Sequence, residues 1–143
     1  MIRLTKAVEI ERPVDEVFAF VANFENTPRW NGDVVKTKKM SAGPIESGTT
    51  FRQYRDALAG AGEAVAITAL SPHERLEVRA RLADSPAQLT YEFDEVDGGT
   101  RLINEIEVDP KGAMRLITPV VESRVGHSVA ENLAELKRVL EAA

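Results

Sequence analysis

The sequence predicts an α+β fold in two layers, an antiparallel sheet packed against one long C-terminal helix. Three observations carry this. From Asn31 to Thr100, short stretches of alternating apolar and polar residues are separated by turn signals, the texture of an antiparallel meander. From Met114 to Leu140, apolar residues recur at helical spacing. A helix of that length must bury its stripe, and the only large apolar surface available is one face of the sheet.

Ile2, Leu4, Val8 and Ile10 share one parity, with Arg3, Thr5, Glu9 and Glu11 on the other, which predicts a half-buried first strand. Lys6 interrupts the apolar face. Pro13 stops the strand and suits the first turn of a helix, where Asp15 and Glu16 favour the helix dipole. Val14, Val17, Phe18 and Val21 form one helical stripe, and Asn23 ends it. Pro28 behind Thr27 predicts a second short helical turn capped by Thr27.

Strands are then expected over 34–40, 49–58, 63–70, 76–82, 89–93 and 102–108. The turns between them fall at Gly43-Pro44, Ser47-Gly48, Ala59-Gly60-Ala61-Gly62, Ser71-Pro72, Ser85-Pro86 and Asp97-Gly98-Gly99. The last is the strongest hairpin signal, because its residues tolerate positive φ. On the final helix, Met114, Ile117, Val121, Val125, Ser128, Asn132, Leu136 and Val139 share one face, with Leu133 and Leu140 beside them. Pro119 is incompatible with a helix interior. The pattern reads either as a short helix followed by a main helix capped by Thr118, or as a single kinked helix.

The 143 residues suit one domain spanning 1–143. Hydrophobic residues make up 43% and charged residues 29%, too apolar for a disordered chain. The absence of cysteine excludes disulfides, thiolate nucleophiles and Cys-based metal sites. A net charge of -5 argues against nucleic acid as a partner. The N-terminal stretch lacks the apolar run of a secretory signal, and no segment has the length of a membrane span, so a cytoplasmic location without stable membrane insertion is expected.

The sequence holds no nucleophile elbow, phosphate-binding loop or His-x-x-x-His pair, and neither a cofactor nor a metal is expected. Gly60-Ala61-Gly62 reads as a turn between strands, and His73 and His127 as solvent-facing. Lys36, Lys38 and Lys39, with Arg29 nearby, read first as charges protecting an edge strand. The sharper alternative is docking to an acidic partner or an anionic membrane surface.

The element order, together with IERPVDEVFAFVANFENTPRWNGDVV near the start, resembles the START-like (Bet v 1-like, SRPBCC) superfamily, in particular its polyketide cyclase/dehydrase and lipid-transport group. The likeness rests on the Pro13-led helix, the Pro28…Trp30 segment, the Gly99-Thr100 start of the last strand and the closing ENLAELKRVLE. It implies a helix-grip fold, in which a curved sheet of about seven strands wraps a long C-terminal helix around a cavity for an apolar small molecule. A strongly curved sheet cannot meet a straight helix along its whole length, and this sequence has few aromatic residues to fill the gap. Small residues recur at Ala66, Ala69, Ala80, Gly126 and Ala130, which suits either a roomy pocket or close backbone approach.

Candidate ligand-binding residues follow from inward parity. Asn104 shares a face with Leu102, Ile106 and Val108, and Tyr91 lies between Leu89 and Phe93. Each polar group there needs a partner, from the protein or from a ligand. Val121, Ser128 and Asn132 lie in the apolar sector of the last helix, and Trp30 either packs under the second helical turn or faces a ligand at the cavity mouth. In the third strand, a one-residue slip exchanges the two faces. The family pattern favours Phe51, Gln53 and Arg55 inward, which lets Glu63 on the next strand neutralise Arg55.

Two functions are consistent with this reading. One is binding, with or without transport, of a lipid, polyketide or isoprenoid. The other is a cyclase, aromatase or dehydrase using the same cavity, with Tyr91, Arg55 and Glu63 as the available acid–base groups. A homodimer stays open. A third possibility is an accessory module whose pocket is filled.

Overall fold

The computed structural model describes residues 1–55, 62–82 and 85–143, with Leu82 described by its backbone alone. Seven strands are present: β1 (Ile2–Ile10), β2 (Lys36–Lys39), β3 (Thr50–Tyr54), β4 (Glu63–Ser71), β5 (Arg75–Leu82), β6 (Ser85–Val96) and β7 (Gly99–Val108). They form one sheet in the order β1-β7-β6-β5-β4-β3-β2, with every neighbouring pair antiparallel. Strands β2 to β7 are the expected meander, and β1 is added beside β7. Helix α1 (Val14–Ala22) and a 3-10 segment (Phe24–Arg29) follow β1. A second 3-10 segment (Gly112–Ile117) leads into helix α2 (Thr118–Ala142), which packs on the sheet mainly along β1.

The inner face carries the alternation read from the sequence. Val65, Ile67, Leu76, Val78, Leu102 and Val108 are fully or almost fully buried. A register shift between Ile67 and Ala69 of β4 interrupts the ladder with β5, the kind of irregularity that bends a strand. Between β6 and β7, Val96 pairs with Gly99, leaving Asp97 and Gly98 as a two-residue turn. Both have positive φ, 50° and 81°, as a hairpin of the primed type requires.

The end of β1 also holds the far end of α2. Arg12 donates from Nε to the Leu140 carbonyl at 2.8 Å, and from a terminal nitrogen to the carbonyls of Glu141 and Ala143. These carbonyls belong to the last turn of the helix, where few N–H donors follow (the Leu140 carbonyl also accepts the Ala143 N–H at 3.4 Å), so a cation placed there complements the helix dipole.

Four local expectations are corrected. The turn at Phe24–Arg29 is capped by Asn23, whose side chain accepts from the Glu25 N–H, while Thr27 lies buried within the segment. Thr118 does not cap α2: the boundary residue is Ile117, and the Thr118 hydroxyl donates back to the carbonyls of Met114 and Arg115. Ser85 and Pro86 begin β6 rather than forming a turn. They pair with Leu82 and Arg81, and a proline is tolerated so near a strand start. The buried stripe of α2 is Gly126, Val129, Leu133, Leu136 and Leu140, rotated from the face expected, because the leucines take the centre and leave Ser128 and Asn132 on the flank.

Pro119 stands in the first turn of α2 after a separate short segment, as the two-helix reading expected. The expected extension of the third strand to Leu58 and the turn at Ala59-Gly60-Ala61 lie outside the described residues.

Candidate ligand cavity

A cavity of about 310 Å³ lies between the sheet and α2. Its sheet wall includes Val65, Val78, Ala80, Ala87, Ile106 and Val108. Ala80 and Ala87 are direct cross-strand partners, and Ala87 also pairs with Val108. Two methyl groups stand side by side where the facing helix would otherwise meet longer side chains, and the unfilled volume becomes the cavity. The helix contributes Val125, Ser128, Val129 and Asn132. Phe24, Thr27 and Trp30, from the first 3-10 segment and the residue that ends it, form a third wall.

Polar groups interrupt this wall, most of them toward one end. Gln53 on β3 donates from Nε2 to Glu63 Oε1 at 3.3 Å, and Arg55 Nε donates to the same oxygen at 2.9 Å. Gln53 and Arg55 line the cavity, with Glu63 behind them. Tyr91 is buried on the wall, its ring edge-on to Phe24 at 6.4 Å. Burial pushes its phenol well above the ordinary tyrosine range, so the hydroxyl is neutral and carries its proton. Trp30 is 6% exposed, and its Nε1 has no hydrogen-bond partner. Asn132 Oδ1 accepts the Gly32 N–H at 3.4 Å, tying α2 to the loop after Trp30.

The lining residues that face solvent mark the opening. Asp33, Arg81 and Arg124 are exposed, while Asn31, Arg55 and Asn132 are half-buried. The mouth therefore lies between α2, the loop at 31–33 and the ends of β3 and β5. No cluster of three or more metal-ligating side chains exists among the described residues.

Of the residues singled out from sequence, Trp30, Gln53, Arg55, Tyr91 and Ser128 line this cavity. Phe51, Phe93, Asn104 and Val121 do not. Phe51 is consumed by stacking on Phe24 at 5.4 Å, and Phe93 packs edge-on against Phe18 at 5.0 Å beneath α1. Asn104 Nδ2 donates to the Thr90 carbonyl at 3.2 Å, so a backbone group meets its need for a partner. Val121 is half-buried against the core in the first part of α2. Parity placed Tyr91, Phe93 and Asn104 inward, and the family pattern did so for Phe51 and Gln53, but an inward side chain can meet protein instead of space. Arg81 and Arg124 at the mouth were missed because an exposed arginine on a strand or helix reads as a solvated surface.

A family model described as polyketide cyclase / dehydrase and lipid transport matches residues 1–141. The chain belongs to this family. The polyketide cyclase/dehydrase and lipid-transport fold recurs in solved structures at low identity. A Thermus thermophilus protein, TTHA0849, superposes with a TM-score of 0.76 at 17% identity, over 99% of each chain. A START superfamily protein from Mycobacterium smegmatis gives 0.74 at 14% identity, again over 99% of each. The di-domain ARO/CYC StfQ of the steffimycin biosynthetic pathway gives 0.75 at 12% identity, covering 96% of this chain and 49% of that one. No curated protein matches the sequence. These likenesses establish a START-like fold of the polyketide cyclase/dehydrase type. No helix is long and apolar enough to cross a membrane.

Proposed function

We propose that residues 1–143 act as a single domain that binds a hydrophobic small molecule, such as a lipid, polyketide or isoprenoid, between the sheet and α2. The observation that carries this reading is the cavity of about 310 Å³ under α2, walled largely by apolar side chains and left open by the facing alanines 80 and 87. Its size is at the lower end of small-molecule pockets, which run from about 300 to 1,000 Å³. The family supports the same kind of ligand.

Trp30 is the sole tryptophan and belongs to the wall, so its emission reports occupancy directly. Titration with medium-chain apolar ligands is expected to give a saturable change. Ala80→Phe, which places a ring in the void, is expected to abolish that change while leaving the far-UV circular dichroism intact. Saturable binding by the filled variant with wild-type affinity overturns the reading.

The protonated Tyr91 phenol, on the wall of the same cavity as Arg55, supports a second reading, a cyclase or dehydrase acting on a poly-β-keto chain. A neutral phenol on an apolar wall donates a hydrogen bond to a substrate carbonyl and stabilises the enolate formed from it. Turnover of a poly-β-keto thioester that falls at least about tenfold in Tyr91→Phe, with binding retained, is the expected result. Equal turnover by both proteins removes Tyr91 from the chemistry.

A further inference from the structure

Six large apolar side chains are exposed among the described residues, and three of them, Leu116, Ile117 and Val120, cluster around the start of α2. Leu116 is 86% exposed and Val120 62%. No residue of the 3-10 segment Gly112–Ile117 is buried. The segment is nonetheless tethered. The Lys111 N–H donates to the Ser85 hydroxyl at 3.0 Å, that hydroxyl donates to Met114 Sδ at 3.3 Å, and Met114 packs against the core. An apolar cluster held in place at the surface marks a contact with something outside the chain.

The surrounding charges point to the partner. Between Pro110 and His127 stand Lys111, Arg115 and Arg124 against one acid, Glu122, in a chain whose net charge is -5. Lys111 is bridged to Asp109 at 2.9 Å, and Arg115 acts on Asp109 only through space. Arg115 and Arg124 are exposed and hold no salt bridge among the described residues. Glu122 borders a different depression, shared with Leu4 and Lys6. The first turn of α2 has no acidic residue and no side-chain cap, so its N–H groups add positive potential at this end. The patch also adjoins the cavity. Arg124 lines both the cavity and a shallow depression that includes Pro119 and Val120, so the apolar cluster begins one helical turn from the mouth.

We infer that residues 115–124 form a membrane-docking surface. Leu116, Ile117 and Val120 enter the headgroup region of an anionic phospholipid bilayer, Arg115 and Arg124 meet its phosphates, and no helix spans it. Cations beside an apolar centre, on a chain that is acidic as a whole, match a negatively charged lipid surface. The inference concerns the outer surface and does not require the cavity to hold a ligand. Where the cavity does hold one, docking here brings its mouth close to the lipid.

Co-sedimentation of the full chain with phosphatidylglycerol/phosphatidylcholine vesicles, against vesicles of phosphatidylcholine alone, tests this. The anionic vesicles are expected to bind at least about tenfold more tightly, and the difference is expected to shrink as salt rises. Leu116→Ser/Val120→Ser is expected to weaken binding at least about tenfold with an unchanged circular dichroism spectrum. Arg115→Gln is expected to weaken it about fivefold, on anionic vesicles alone. Ala80→Phe, which fills the cavity, is expected to bind vesicles as the wild type does. No binding to anionic vesicles, or equal binding to both kinds, overturns the inference. Binding that survives Leu116→Ser/Val120→Ser overturns the assignment to this surface. Binding lost in Ala80→Phe traces the effect to lipid taken into the cavity and overturns docking, while leaving the hydrophobic site intact. Wild-type dimers in analytical ultracentrifugation that dissociate in Leu116→Ser/Val120→Ser give the patch to a second copy and overturn the inference.

Discussion

At the residue scale, the most consequential side chain outside the cavity is Arg12. One guanidinium satisfies carbonyls of the last turn of α2, and Thr100 Oγ1 holds the Arg12 carbonyl at 2.8 Å from the neighbouring strand. Arg12→Ala is expected to lower stability by about 1–2 kcal/mol, read as a shift in the urea midpoint at constant slope. Glu141 shares this junction. The Glu11 N–H and then Lys137 hold its carboxylate below the usual glutamate range. A depressed folded pKa contributes stability that is present above the ordinary value near 4.5 and lost as pH falls through the folded value. Glu141→Gln is therefore expected to flatten the stability profile on the acid side of about pH 5, measured by urea titrations at successive pH values. Arg55 and Glu63 were legible as a pair because residues on adjacent strands of a hairpin meet by parity. The Arg12 contacts were not, since they join residues at opposite ends of the sequence.

At the scale of elements, strands and turns were legible because their periods and turn chemistry are local. The Asp97-Gly98 hairpin required only the tolerance of positive φ by these two residue types. The rotation of α2 was illegible for a different reason. Two overlapping apolar ladders run along it, and only the sheet decides which one faces inward. Gly126 sits on the selected ladder, with the Lys6 side chain 3.7 Å and the Leu4 side chain 4.0 Å from where a Cβ would stand. Those are ordinary contact distances, and alanine is the better helix former. Gly126→Ala is thus expected to stabilise the protein by about 0.5–1 kcal/mol, seen as a higher melting temperature. Lys6 broke the apolar pattern of β1 in the sequence. The structure places its methylene stem beneath this glycine, where a long amphipathic side chain can lie on apolar surface and keep its ammonium in water.

At the scale of the whole molecule, the sheet is open, and its two margins, β1 and β2, are unlike each other. Strand β1 lies along α2, whereas β2 borders the 3-10 segment, from which Glu25 accepts the Lys39 backbone N–H at 3.1 Å. The exposed Val35 and Met40 flank β2 at 51% and 54% exposure, with Lys36, Lys38 and Lys39 between them. Charged side chains along a sheet margin disfavour pairing of one molecule's edge with another's. Acetylation, or replacement of all three lysines by threonine, would turn the segment into a neutral, β-prone ribbon. Such protein is expected to scatter light and form thioflavin-positive particles at concentrations where the wild type stays clear.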